Sequence, residues 1–226
     1  MHKTLKHLLP KSLLLQRANK RAIMAFAESV GFVYFGFVDQ KSDEYQLIRG
    51  LTLSPRHHDR HYCIGSAFNY DVALVQRTDT LQAPRHTSGQ SHTWLIMQFD
   101  LHTTRDLPHV FLGLHTHSEA FYETLFAKFR TLQRAPLGTF GMYDQAFTDR
   151  YGVYTTPTES LTVERLLDPE VTKVIAERFG TLTIEISEGS LYLYSEHVHI
   201  TKSLLEIMLQ NGVWLAKHID ERAALI

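Results

Sequence analysis

The chain has 226 residues, 44% of them hydrophobic and 11% aromatic, which is enough for a buried core and excludes a disordered chain. The formal net charge is −1 with the histidines neutral, so no global positive field recruits nucleic acid. The single cysteine, Cys63, excludes an intramolecular disulfide and fits a reducing compartment.

Charge is concentrated at the start of the chain. Lys3, Lys6, Lys11, Arg17, Lys20 and Arg21 all precede the first acid, Glu28. Residues 1–27 are therefore a basic arm suited to a protein partner or an anionic membrane surface; a solvated helix face is the plainer reading. The longest apolar run, AIMAFAESVGFVYFGFV, is interrupted by Glu28, Ser29 and Gly31 and is too short to span a bilayer. No clean apolar block is followed by a small-residue cleavage site, so a signal peptide is not expected. The expected location is the cytoplasm, at most peripheral to the inner membrane.

Leu15, Ala18, Ala22 and Phe26 recur at helical spacing and predict a helix over 11–29, with Gly31 placed to stop it. FVYFGFV (32–38) reads as a strand, and residues 39–56 are polar and turn-rich. HYCIGSAFN and DVALVQR read as two strands with a bend near Asn69-Tyr70-Asp71. A polar loop, TDTLQAPRHTSGQSH (78–92), leads into the strand TWLIMQFDL (93–101). Leu107–Leu114 is a further strand, opened by Pro108.

Thr116-His117-Ser118-Glu119 has the spacing of a capping box and predicts a helix over 117–132, with Phe121, Leu125, Phe129 and Leu132 as its apolar stripe. His115 then ends the preceding strand. FTDRYGVYTT (147–156) finishes as a strand. Asp168-Pro169-Glu170 supplies an N-cap, a proline at the first helical position and an acid in the first turn, so a helix is expected over 169–179 with Gly180 as its stop. TLTIEIS-EG-SLYLYSE is a hairpin. With Glu188-Gly189 as its turn, Ile186 faces Leu191, Ile184 faces Leu193, Glu185 faces Tyr192 and Thr183 faces Tyr194. Ser203-x-x-Glu206 is a second capping box and opens a helix over 203–222 with Leu204, Met208, Leu215 and Ile219 inward; Gly212 serves close packing or a bend.

These elements predict an α+β fold: an antiparallel sheet of hairpins with helices packed mainly on one face. One domain over 1–226 is expected. The loop at Arg134–Tyr143, with Pro136, Gly138 and Gly141, is where subdomains 1–135 and 136–226 would divide.

RAIMAFAESVGFVYFG, DVALVQRT, HTWLIMQFDL with LPHVFLGL, and FTDRYGVYTT…VERLLDPEVTKVIAERFG…LTIEISEGSLYLYSE follow one another as in an uncharacterised bacterial domain-of-unknown-function family, which residues 21–220 resemble. The resemblance implies a cytoplasmic α+β domain, often membrane-tethered in other members by N-terminal helices; no spanning helix is expected in the present sequence. The family has no assigned activity, so no catalytic residue carries over.

Histidine is the only crowded chemistry. His57, His58, His61 and Cys63 lie in PRHHDRHYC, with His115/His117 and His197/His199 elsewhere. Zinc requires about four ligands in a tetrahedron. Without H-E-x-x-H or paired C-x-x-C, exposed histidines are the plainer reading and no metal ligand is assigned. Histidines that titrate near neutrality also permit a pH response. There is no G-x-S-x-G elbow, and Cys63 reads as a small core residue rather than a nucleophile. GTFGMY (138–143) lacks the lysine and following helix of a phosphate loop, and Arg85–Gly89 reads as a solvated loop rather than a phosphate contact. Tyr34, Phe35, Phe37, Tyr192 and Tyr194 suit base stacking, but Glu185, Glu188 and Glu196 surround the last two.

No catalytic residue and no cofactor are assigned. The leading expectation is a non-enzymatic interaction module in the cytoplasm or at the inner membrane surface. The alternatives are a metal-dependent or ligand-binding enzyme built on clustered histidines, and nucleic-acid binding through the basic N-terminal arm.

Overall fold

The computed structural model describes residues 11–38, 48–52, 57–81, 90–128, 131–138 and 142–226. Strands β1 (Val33–Gly36), β2 (His58–Ala67), β3 (Tyr70–Leu81), β4 (Gln90–Asp100), β5 (Val110–Leu114), β6 (Gln133–Arg134), β7 (Tyr151–Thr155), β8 (Thr183–Ser187) and β9 (Ser190–Ser195) form one antiparallel sheet in the order β1-β2-β3-β4-β9-β8-β5-β7-β6. The helices are α1 (Lys11–Val30), α2 (Glu119–Leu125), α3 (Gln145–Arg150), α4 (Ser160–Leu166), α5 (Pro169–Arg178) and α6 (Lys202–Ala223). β5 sits between β8 and β7, so segments from before and after residue 135 interleave in the same sheet.

Two-residue turns set two of the hairpins. Phe68 and Asn69 carry φ of 50° and 73° between β2 and β3, and Glu188 and Gly189 carry 50° and 74° between β8 and β9. Positive φ at both central positions matches the twist of the flanking strands. The β8–β9 register is the expected one, with Ile186 opposite Leu191 and Glu185 opposite Tyr192. The β3–β4 hairpin is longer than expected. Thr78, Asp79, Thr80 and Leu81 pair with Thr93, His92, Ser91 and Gln90, because ladder bonds join backbone groups and need no apolar side chains. Residues Arg85–Gly89 lie outside the described residues.

α1 and α3 to α6 pack on one face of the sheet around Ile23, Phe26, Phe99, Phe147, Ile175 and Met208. α2 is the exception: with residues 48–52 it covers the other face, over Val75, Trp94, Ile96, Phe111 and Tyr194. Buried charge pins residues 48–52 there. Arg77 Nε and Nη2 donate to Asp59 at 2.8 and 2.7 Å, and its guanidinium also reaches the Ile48 and Arg49 carbonyls at 2.7 and 3.2 Å. Glu185 accepts from Leu51 N–H at 3.0 Å, from His109 Nε2 at 2.7 Å and from the Tyr194 hydroxyl.

Three helix details differ from the sequence expectation. The buried face of α1 is Asn19, Ile23, Phe26 and Ala27, and Ala18 is exposed, so the stripe is rotated from the predicted one. α1 ends as expected, with Gly31 at φ 76° and Phe32 N–H donating to the Ala27 carbonyl at 2.8 Å. α2 is capped by Ser118 rather than Thr116, and it is seven residues long. His115 N–H is held by the Arg150 carbonyl at 2.9 Å and His117 N–H by the Leu114 carbonyl at 3.2 Å. Those bonds commit 115–117 to a turn, so no helix starts before Ser118. A 3₁₀ turn over Phe126–Lys128 follows, and Leu132 is buried outside the helix; Phe129 lies outside the described residues. α6 is capped by Thr201, whose Oγ1 accepts from Leu204 N–H at 3.1 Å, and not by Ser203. α5 begins as predicted, with Asp168 accepting from Glu170 and Val171 N–H at 2.9 and 3.0 Å. Among the described residues no helix is long and apolar enough to cross a membrane.

Candidate functional site

The local feature that shapes the site is a bulge in β2. Register passes from Arg60 opposite Gln76 to Cys63 opposite Leu74, so His61 and Tyr62 together face Val75. His61 takes φ 59°, a left-handed backbone that is uncommon outside glycine. The bulge lets Tyr62 join the α2-side core and Cys63 the α1-side core, and it leaves Arg60 and His61 together on the wall of an open cleft.

The cleft has a volume of about 500 Å³ and lies beneath the first half of α1. α1 contributes Leu13, Gln16, Arg17 and Lys20 to it; β3 and β4 contribute Gln76, Thr78 and Thr93; the segment after β9 contributes Glu196, His197 and Val198. Asn19 fixes that last wall to α1. Its Nδ2 donates to the Val198 carbonyl at 2.9 Å, and its Oδ1 accepts from Ile200 N–H at 3.0 Å. Thr78 and Thr93 hydroxyls meet across the floor at 3.0 Å.

The electrostatics are one-sided. Arg17, Lys20 and Arg60 are exposed, and among the described residues none of them forms an ion pair. His61 Nδ1 is 2.9 Å from the Tyr34 hydroxyl. Burial, with Lys20 and Arg60 beside it, holds the His61 imidazolium below its ordinary range, so the ring is neutral near pH 7. Glu196, the acid of the cleft, is engaged on the far side. His117 Nε2 donates to its Oε1 at 2.8 Å, and His92 Nε2 lies 3.2 Å from its Oε2 in an ion-pair contact that lacks hydrogen-bond alignment. Burial pushes the Glu196 carboxyl up, but the two imidazoles outweigh it and hold it below the usual range.

A second cleft of about 420 Å³ adjoins the first, lined by Leu114, Thr116, His117, Arg150, Thr181, Glu196 and His197. Glu196 and His197 thus form the partition between the two. Of the histidines singled out by sequence, His61 and His197 line the first cleft and His117 and His197 the second. His115 turns away to the Asp149 carbonyl at 3.1 Å and to Arg134 at 3.3 Å. His58 and His199 are exposed and His57 is half-buried. His115 and His117 sit in a turn rather than on a strand, so the two rings do not share a face.

Among the described residues no group of three or more His, Cys, Asp or Glu side chains is placed to hold a metal ion. The Cys63 thiol is buried and pushed up to about 12 by burial, which leaves it no nucleophilic thiolate. Thr181 Oγ1 lies 3.1 Å from His197 Nε2, but among the described residues no carboxylate hydrogen-bonds that ring, so a nucleophile–base–acid relay is incomplete. Tyr192 and Tyr194 are 2% and 1% exposed and cannot stack on bases. The site can bind an anion through converging cations and neutral donors. Sequence reading passed over Asn19, Arg60 and Glu196 as site residues; the available signal was Asn19, a polar side chain in register with Ile23 and Phe26.

No family model matches the chain, and no curated protein matches it. Among solved structures, the crystal structure of the mycobacterial trehalose monomycolate transport factor A is similar over 91% of this chain and 94% of that one, with a TM-score of 0.59 and 12% identity. At that identity the likeness is one of fold.

Proposed function

We propose that the protein is a non-enzymatic interaction module of the cytoplasm that docks on the anionic surface of the inner membrane through α1. The observation that carries this reading is the solvent face of α1. It places Arg17, Lys20 and Arg21 among exposed Leu13, Leu14 and Met24, with its first acid only at Glu28. Cations interleaved with exposed apolar side chains match the interface of an anionic bilayer, where the charges meet headgroups and the apolar groups enter the acyl boundary. The fold neighbour is named as a transport factor rather than as an enzyme, which supports a role of the same kind.

Co-sedimentation tests the reading. The full chain is expected to pellet with vesicles of equal parts phosphatidylglycerol and phosphatidylcholine and to stay in solution with phosphatidylcholine alone. Added salt should release it, because surface charges beyond about 10 Å are screened at 0.1 M. Failure to pellet with anionic vesicles at low salt would overturn the proposal.

A further inference from the structure

Arg17, Lys20 and Arg60 line one cleft, and among the described residues none of them has an ion-pair partner. Among the lining residues Glu196 is the acid, and His92 and His117 face its two oxygens. The bulge at Arg60–Cys63 spends a left-handed residue on bringing Arg60 and His61 to the same wall, and Asn19 locks the opposite wall in place. Strained backbone at a non-glycine residue persists where surrounding structure enforces it, and such positions gather at ligand sites.

We infer that the cleft beneath α1 is a binding site for one phosphate group, with Arg17, Lys20 and Arg60 as charged donors and His61 as a neutral one. The inference rests on the surface-docking reading only in naming a lipid headgroup as one source of that phosphate. A phosphomonoester carries about −1.5 to −2 charge at pH 7 and three acceptor oxygens, which three cations and an N–H complement. When the Tyr34 hydroxyl donates to His61 Nδ1, the remaining ring nitrogen keeps its hydrogen and is a donor. Gln76, Thr78 and Thr93 add neutral partners in the floor, and Leu13, Leu15 and Val198 give the organic remainder of the ligand apolar walls. A volume of about 500 Å³ falls within the range of small-ligand pockets, roughly 300–1,000 Å³. A metal cation is repelled by the same residues.

The test uses the full chain and two probes: inorganic phosphate, and vesicles of equal parts phosphatidylglycerol and phosphatidylcholine. The readout is the His61 ring resonance by NMR, assigned with His61→Asn. Phosphate is expected to shift that resonance saturably and to move the His61 titration to higher pH, since a bound anion offsets Lys20 and Arg60. Arg60→Gln and Lys20→Gln, both at exposed positions, should each weaken binding about tenfold, the worth of one charge-assisted hydrogen bond. Saturation by phosphate without vesicle binding keeps the site and assigns it a soluble phosphoester, while sinking the membrane reading. Vesicle binding that leaves His61 undisturbed, and that Arg60→Gln does not alter, overturns the site and leaves surface docking standing. Silence of His61 towards both probes overturns the site.

Discussion

The Tyr34 hydroxyl lies 2.9 Å from His61 Nδ1, and the two rings stack with centroids 6.2 Å apart. The pairing joins the edge strand β1 to the bulge of β2, and it holds His61 half-buried between Lys20 of α1 and Arg60 of its own strand. Folding therefore favours the neutral ring. In the unfolded chain the imidazole takes a proton near its ordinary value of about 6.5, and in the folded chain only at lower pH. The stability that neutral His61 supports is complete above about pH 6.5 and falls as the pH drops through the window below it. His218 acts in the same direction. Burial lowers it against the opposing pull of Glu221 and Glu170, and it stacks on Trp214 beside Arg222. Urea midpoints measured from about pH 7.5 down to about pH 5 should fall, and His61→Asn, which tolerates positive φ, should fall less steeply. Identical pH slopes for the two proteins would dismiss this account.

The same region marks what sequence can reveal. The β8–β9 hairpin was legible because Glu188-Gly189 fixes its register locally, and α5 because Asp168 and Pro169 sit next to each other at its start. The caps of α2 and α6 were misplaced by two residues each. Thr116 and Ser118 compete for one helix and Thr201 and Ser203 for the other, and the winner is the residue whose backbone is extended at the entry. For α2 that choice is made at long range, by the bond from His115 N–H to the Arg150 carbonyl. The bulge at His61 left no mark in the hydrophobic pattern, and the Glu196 contacts with His92 and His117 join residues 104 and 79 positions apart. Chemistry assembled by non-neighbouring strands appears only once the sheet order is known.

Cys63 is expected to be silent in the folded protein. Its thiol is fully buried, donates to the His61 carbonyl at 3.6 Å, and is pushed up to about 12. Thiol–disulfide reagents require thiolate and access, and Cys63 has neither. Labelling by a disulfide reagent at neutral pH should be undetectable in native buffer and stoichiometric in denaturant. Fast native labelling would mean that the β2 bulge opens.

Gly212 of α6 lies directly against the ring of Phe99 on β4, and a Cβ at that position would run into the ring. Alanine gains about 1 kcal/mol of helix propensity over glycine. Here overpacking should outweigh that gain, because Phe99 is wholly buried and a forced core shift costs about 1–3 kcal/mol. Gly212→Ala should lower the urea midpoint, and adding Phe99→Leu should make the alanine less harmful than it is alone. A stabilised Gly212→Ala protein would show that α6 moves freely on the sheet.

Arg77 and Asp59 form the most deeply buried ion pair among the described residues, at 0% and 5% side-chain exposure. The pair is a stronger test of the fold than any surface bridge, since exposed pairs contribute about 0–1 kcal/mol. Removing one partner takes from the other its ion pair in a buried setting, which costs about 3–5 kcal/mol. Arg77 also holds the Ile48 and Arg49 carbonyls, so its loss frees residues 48–52 from the sheet. Asp59→Ala should therefore destabilise by several kcal/mol while residues 48–52 keep part of their protection from hydrogen exchange. Arg77→Met should remove that protection as well. The double variant Asp59→Leu with Arg77→Met should recover stability relative to either single change, because neither member of the pair is left buried without the other, yet residues 48–52 should stay unprotected. If exchange there is as slow in the double variant as in the parent, then Glu185, through its bond to Leu51 N–H, holds the segment by itself.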